Sequence, residues 1–234
     1  MSDSVRIDVG RTELDHAELD HLIVAGPDLT AMTAWLESET GLVAAPGGRH
    51  PDQGTHNALV GLGADAYLEL MAPDPSGAVD GTYRRSVSHL NEPELLTWCA
   101  RTPDSATLAE RATALGLNID ALDGSRRTQS GTELRWSLTI LGGHGFGGHV
   151  PFFIDWLDTP HPALSMPRQA ALIELRLEHP DPIGLANLLG ALGVEPSAAP
   201  LHTAWSSEPK LSASLATSGG VRTLVGAGGG LRPV

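Results

Sequence analysis

The residue most suited to chemistry is a carboxylate set in an apolar run, Tyr67-Leu68-Glu69-Leu70-Met71. An ionised carboxylate in such surroundings is costly unless it is paired or bound to a cation. His21, in Leu19-Asp20-His21-Leu22-Ile23-Val24, is a chemically suitable co-ligand. Imidazole nitrogen with carboxylate oxygen suits a borderline divalent ion such as Zn, Ni, Mn or Fe. A metal-free His–Glu hydrogen bond inside a sheet accounts for the same pair. His56, in Gly54-Thr55-His56-Asn57, is a further candidate ligand, and Asn57 beside it a candidate substrate contact. The single cysteine, Cys99, excludes an internal disulfide framework and a Cys-rich metal site, so any metal is held by nitrogen and oxygen donors.

Other chemical signals fail on context. Gly143-His144-Gly145-Phe146-Gly147-Gly148 fits the G-x-G-x-x-G spacing, but Val150-Pro151-Phe152-Phe153 follows in place of a helix, so no nucleotide cofactor is expected. The segment reads as a hairpin loop at a cavity rim.

The elements that must position these residues recur. A short apolar strand, a Pro-Asp step and a helix-period stretch occur at Leu19–Ala25 with Pro27-Asp28, at Leu95–Arg101 with Pro103-Asp104, and at Leu172–Glu178 with Pro180-Asp181. The three prolines are 76 and 77 residues apart. Asp28, Asp104 and Asp181 are placed to cap helices, and Gly41, Gly116 and Gly193 to end them. Alternating segments then predict a hairpin in each unit: His56–Leu62 with Ala66–Met71, Glu133–Leu141 with Val150–Trp156, and Leu211–Thr217 with Val221–Val225. The fold class is therefore α+β, with repeated βαββ(β) modules forming curved, mostly antiparallel sheets around a cleft and helices outside. One domain over 18–225 is expected, with units at about 18–75, 94–157 and 171–225, an extension at 1–17 and a flexible tail at 226–234.

Strand periodicity sorts the faces. Asp20, Leu22 and Val24 oppose Leu19, His21 and Ile23, while Ala66, Leu68 and Leu70 oppose Tyr67, Glu69 and Met71. Leu134, Trp136, Leu138 and Ile140 oppose Arg135, Ser137 and Thr139, and Phe152, Ile154 and Trp156 oppose Phe153 and Asp155. The more polar sets, with His21, Tyr67, Glu69, Arg135, Ser137, Thr139 and Asp155, are expected on a wet concave face, with bulk solvent as the alternative, and the apolar sets against helices.

The chain has 234 residues and a formal charge of −13, which disfavours nucleic acid and anionic membranes as partners. Its hydrophobic fraction of 41% supports a buried core. The acidic N-terminal stretch and the lack of a long apolar run suggest a cytoplasmic protein.

As a set, Leu19–Val24, Gly54–Leu59, Tyr67–Leu70 with Ala72–Pro75, and Pro151–Trp156 with His161-Pro162-Ala163 resemble the glyoxalase-like branch of the vicinal oxygen chelate superfamily. That superfamily includes glyoxalase I, extradiol dioxygenases and the fosfomycin and bleomycin resistance proteins, and the similarity covers about residues 18 to 195. It implies βαβββ modules paired around a cleft, with metal ligands on the first and last strand of a module. His21 and Glu69 match those places. Alignment through the Pro-Asp steps sets Thr97 opposite His21, Asp155 opposite Glu69, and Glu174 of the third unit at the His21 place. The resemblance implies a metal-dependent enzyme with lyase, isomerase or dioxygenase chemistry through a chelated pair of substrate oxygens. His21, Glu69, His56 and Asp155 are its ligand candidates, and Glu69 and Asp155 its catalytic carboxylates. Asn57, Tyr67, Arg135 and Trp156 would contact the substrate, with Arg135 meeting an anionic group. The alternative is a metal-free small-molecule binding or drug-sequestering protein on the same fold. A homodimer is among the assemblies to test.

Overall fold

The computed structural model describes residues 16–63, 65–127, 133–195 and 200–231. The first unit comprises β1 (Glu18–Ala25), α1 (Leu29–Thr40), β2 (Ala45–His50), β3 (Thr55–Gly61) and β4 (Tyr67–Pro73), followed by a short helix, α2 (Thr82–Val87). The second comprises β5 (Glu94–Arg101), α3 (Ser105–Ala114), β6 (Asn118–Arg127), β7 (Glu133–Gly142) and β8 (Phe152–Asp155). The third comprises β9 (Ala170–His179), α4 (Pro182–Ala191), β10 (Leu201–Trp205), β11 (Lys210–Thr217) and β12 (Gly220–Gly226).

The helix boundaries follow from local chemistry. The carboxylates of Asp28, Asp104 and Asp181 accept the backbone N–H of Ala31, Thr107 and Gly184 at 2.7, 2.9 and 2.8 Å. Gly41, Gly116 and Gly193 leave the helices with φ of 74°, 71° and 85°. All three hairpins form, as β3–β4, β7–β8 and β11–β12. β2, β6 and β10 carry little strand signal, and each lies at a sheet edge. The edge tolerates the Pro and Gly residues of β2, Ala-Pro-Gly-Gly-Arg-His, because no neighbour there requires every N–H.

Two units build one eight-stranded sheet in the order β2-β3-β4-β1-β5-β8-β7-β6. Its central strands, β1 and β5, run antiparallel, while β1–β4 and β5–β8 pair in parallel. The sheet curls until its edge strands β2 and β6 meet. Ile23, Leu59, Met71, Leu96, Trp136, Leu138, Phe152, Ile154 and Trp156 fill the inside, together with Tyr83 and Val87 from α2. The convex face packs Leu22, Val24, Leu68, Leu70, Trp98 and Phe153 with Met32 and Leu36 of α1 and Leu108 and Ala112 of α3.

The two units differ in how sequence polarity maps onto these faces. In the first, His21, Tyr67 and Glu69 point inside as their periodicity requires. In the second the assignment is reversed: the Trp136/Leu138 and Phe152/Ile154/Trp156 sets point inside, and Phe153 joins the convex core. Alternation separates two faces but does not say which is concave, and here the inner half is the drier one.

The third unit keeps the βαβββ order of elements, yet its strands lie in the order β10-β9-β11-β12. Its first strand therefore has the second strand, not the last, as its parallel neighbour. This small sheet packs Leu175, Leu177, Leu211, Ala213 and Leu215 into the convex core over Trp98. Residues 226–231, expected as the start of a flexible tail, cross back over the main sheet with Gly148 N–H donating to Gly228 O and Gly230 N–H to Leu96 O. Among the described residues no helix is long and apolar enough to cross a membrane.

His149 links the third unit to the Gly-rich loop. It is fully buried, with Nδ1 3.1 Å from Phe146 O and Nε2 2.9 and 3.2 Å from the carbonyl oxygens of Glu178 and Lys210. Burial pushes its pKa down, as does His179 alongside, against the three carbonyls that favour a protonated ring. The unfolded chain takes up this proton near the ordinary value of about 6.5 and the folded chain does so only at lower pH. Stability is therefore expected to fall as pH drops from 7.5 to 5.5. Urea midpoints measured across that range should show the decline, and a shallower one in His149→Gln; equal slopes would contradict it.

Candidate active site

A bulge in β1 creates the site. Leu19 pairs with Ala100 and His21 with the adjacent Cys99, so Asp20 is an extra residue that escapes the two-residue period. Its carboxylate is fully buried. Oδ1 accepts from His21 Nδ1 at 2.6 Å, and Oδ2 accepts from Trp156 Nε1 at 2.9 Å and His161 Nε2 at 3.0 Å. Burial alone would raise the Asp20 pKa, but the hydrogen bonds and charge of His161 and His21 hold it well below the usual carboxylate range.

An ionised Asp20 can only accept, so Nδ1 of His21 carries a proton and Nε2 is the nitrogen left toward the cavity. Nε2 lies toward Glu69, with Oε2 3.6 Å away. Asn57 fixes the other oxygen, donating from Nδ2 to Oε1 at 2.8 Å, while Gly48 N–H donates to its own Oδ1 at 2.6 Å. Tyr67 stacks on the His21 ring at 4.4 Å between centroids. Nε2 and Oε2 thus face each other at a separation longer than a hydrogen bond.

They open on an inner cavity lined by His21, Asn57, Tyr67, Glu69, Tyr83 and Trp156 among others, with about 60 Å³ open to water-sized bodies. An outer groove of about 550 Å³ adjoins it, sharing His50, Tyr83, Trp136 and Leu138. Burial, with the negative charge of Glu69 second, raises the Tyr83 pKa, so the phenol stays protonated.

Of the residues singled out in the sequence, His21, Asn57, Tyr67, Glu69 and Trp156 converge on the inner cavity. Asp155 and Arg135 instead line the outer groove, where Asp155 accepts from Leu157 N–H at 2.8 Å and lies 3.4 Å from the Ser105 hydroxyl. His56 is not among the cavity residues, since Asn57 and Leu59 of the same strand face inward and Ala58 and Val60 outward. His50, unremarked in the sequence, lines the cavity, its Nδ1 3.0 Å from Thr55 Oγ1. Asp20 and His161 were also missed; the only signal was an acid beside a histidine, because a bulge leaves no periodic trace.

Strand register identifies the corresponding positions in the second unit. The 76-residue offset carries Asp20 and His21 to Leu96 and Thr97, and Leu96 is itself bulged between the Ile23–Thr97 and Val24–Leu95 pairs. Ile23 pairs with Glu69 and Cys99 with Phe152, so Phe152 and not Asp155 stands at the Glu69 place. Following the ladders, Asn57 corresponds to Leu138. The cleft therefore has one polar half and one nearly apolar half.

The polar half suits a cation in part. A metal with bonds of about 2.1 Å to each donor sets nitrogen and oxygen about 3 to 3.5 Å apart, close to the 3.6 Å between His21 Nε2 and Glu69 Oε2. The Asp20 bond to Nδ1 is the outer support such a ligand usually has. Asp20, His21 and Cys99 also bring donor atoms within 4.8 Å of one another. That trio is poorer, because both Asp20 oxygens are engaged. Burial, together with the charges of Asp20 and Glu69, also pushes the Cys99 thiol well up in pKa.

A family model described as Glyoxalase-like domain matches residues 19–193. Among solved structures, a hypothetical protein from Staphylococcus aureus superposes with a TM-score of 0.60 at 15% identity, covering 75% of each chain. A mutant 4-hydroxymandelate synthase from Streptomyces coelicolor gives 0.51 at 15% identity, over 90% of this chain and 63% of that one. A mutant methylmalonyl-CoA epimerase from the same organism, in complex with 2-nitronate-propionyl-CoA, gives 0.47 at 19% identity over 63% of this chain and 99% of that one. No curated protein matches the chain in sequence.

Asp20→Asn should test the network. Hydrogen bonds to a buried charge contribute about 2 kcal/mol each, so a loss of at least about 2 kcal/mol at pH 7 is expected. Because the folded pKa is depressed, this stabilisation is complete above about pH 5 and fades as pH falls through the folded value. Urea unfolding at pH 7 and below pH 4 measures both, and equal stability of the two proteins at pH 7 would refute the assignment.

Proposed function

Because the chain belongs to the glyoxalase-like domain family, we propose that it is an enzyme that binds a small oxygen-bearing substrate at a divalent cation held by His21 and Glu69. One observation carries this: His21 Nε2 and Glu69 Oε2 face each other, buried and 3.6 Å apart, each fixed from behind by Asp20 or Asn57. Such a pair is satisfied by a cation placed between its members. Bound there, the cation supplies Lewis-acid polarisation of substrate oxygens. Zn, Ni, Mn and Fe all accept this donor chemistry.

The protein's own groups do the rest. Asp20 keeps His21 in one tautomer and one orientation. Glu69 offers the nearest carboxylate oxygen for a proton leaving the substrate. Tyr83, held protonated, supplies a hydrogen-bond donor on the cavity wall, and Trp136, Trp156 and Phe152 exclude water. Proton transfer beside a polarised oxygen is isomerase or lyase chemistry. The wall around Arg135 and Asp155 belongs to the outer groove, where either would meet a distal part of the substrate.

A second reading is a metal-free binding protein in which a proton joins His21 and Glu69. It is favoured by Leu96, Thr97, Leu138 and Phe152 at the positions matching Asp20, His21, Asn57 and Glu69, which leave a cation half its protein ligands. Titration of chelator-stripped protein with Zn, Mn or Ni discriminates. His21→Ala and Glu69→Gln are each expected to weaken affinity by about tenfold or more, about 1.4 kcal/mol. Unchanged affinity in both variants would sink the metal reading, and stabilisation by small molecules that persists in EDTA would support the second.

A further inference from the structure

The glycine-rich loop that failed as a nucleotide motif has a different use. Gly148 and Gly230 cross with their backbones in contact: a Cβ on Gly148 would lie 2.9 Å from Gly230 N, and one on Gly230 2.7 Å from Gly148 N. Two hydrogen bonds hold the crossing, Gly148 N–H to Gly228 O at 2.6 Å and Gly230 N–H to Leu96 O at 3.2 Å. The second uses the carbonyl of the bulged residue in β5. Gly230 has a φ of 74°, a conformation that disfavours any other residue.

The crossing delivers Leu231 to the apolar half of the cleft. Leu231 packs against the inner cluster and lines two spaces at once. One is the inner cavity, and the other is a space of about 230 Å³ bordered by Thr97, Ile140, His144 and Val150. Leu231 and Phe152 line both spaces and so form the wall between them.

We propose that Leu231 is the size-selecting wall at the apolar end of the ligand site, limiting how far an uncharged apolar body can extend past Phe152 when an oxygen-bearing head lies toward His21 and Glu69. This rests on the inner cavity being the ligand site, but not on a metal being present. A body extended past Phe152 meets the Leu231 side chain, whereas the outer groove is reached past His50 and Tyr83. Shortening that side chain joins the two spaces, and the energetic return on burying additional apolar surface then favours a larger body.

Binding of phenol and of 2-naphthol, measured by calorimetry in EDTA, tests this in the wild type, in Leu231→Ala and in Leu115→Ala, an exposed control on the convex side. The expected result is 2-naphthol affinity raised about tenfold in Leu231→Ala alone, with phenol changed less than about twofold. Equal 2-naphthol affinity in Leu231→Ala and the wild type, or the same gain in Leu115→Ala, would overturn the proposal. Near-UV circular dichroism confirms that the variants keep their packing. A chain that binds no metal yet shows the Leu231 effect would refute the cation at His21 and Glu69 and leave the wall intact.

Discussion

The buried carboxylate of Asp20 is the constraint on which the site depends. It accepts hydrogen bonds from His21 on its own strand, from Trp156 just past β8, and from His161 on the segment leading to β9. One donor is the neighbouring residue and the other two lie 136 and 141 residues further on, so the carboxylate is satisfied only when both halves of the curled sheet are in place. A buried charge with fewer partners would cost more than the fold returns. The same contacts orient the His21 ring and anchor Trp156 in the cavity wall. Structural demand and chemical competence thus meet in one side chain.

From that carboxylate the asymmetry of the cleft follows. β1 and β5 carry matched bulges, which shows that the two units share a backbone plan. Their side chains diverge: Asp20, His21, Asn57 and Glu69 are answered by Leu96, Thr97, Leu138 and Phe152. Under the proposed function, solvation would orient a ligand in such a cleft with its polar end toward His21 and its apolar body toward Phe152. The third unit, with its own strand order, takes no part in lining the inner cavity until the chain leaves β12. It instead covers the convex core, and His149 ties it to the loop that seats residues 226–231.

Much of this was legible in the residues. Periodicity grouped Tyr67 with Glu69 and set His21 opposite Leu22, and those faces line the inner cavity; it did not choose between His56 and Asn57, of which Asn57 lines the cavity. It misplaced Asp20, since one inserted residue shifts the face without changing the composition. It also offered Arg135 and Asp155 to the concave side, because polarity was taken as the mark of a wet face and the second unit turns its dry face inward. The match of Asp155 to Glu69 failed for a related reason: the loop between β7 and β8 breaks the constant spacing, and only hydrogen-bond register shows that Phe152 holds that place.

The sequence by itself determined the local and repetitive features: capped helices, glycine exits, hairpins, the α+β class and the family resemblance. These depend on interactions between residues a few positions apart, or on a repeated pattern, and both are written in the chain. Tertiary structure decided which face is concave, which unit carries the polar half of the cleft, and what the two glycine-rich segments do. Each of those outcomes rests on contacts across long stretches of chain, such as Asp20 with His161 and Gly148 with Gly230, whose cost or benefit exists only once the strands are side by side.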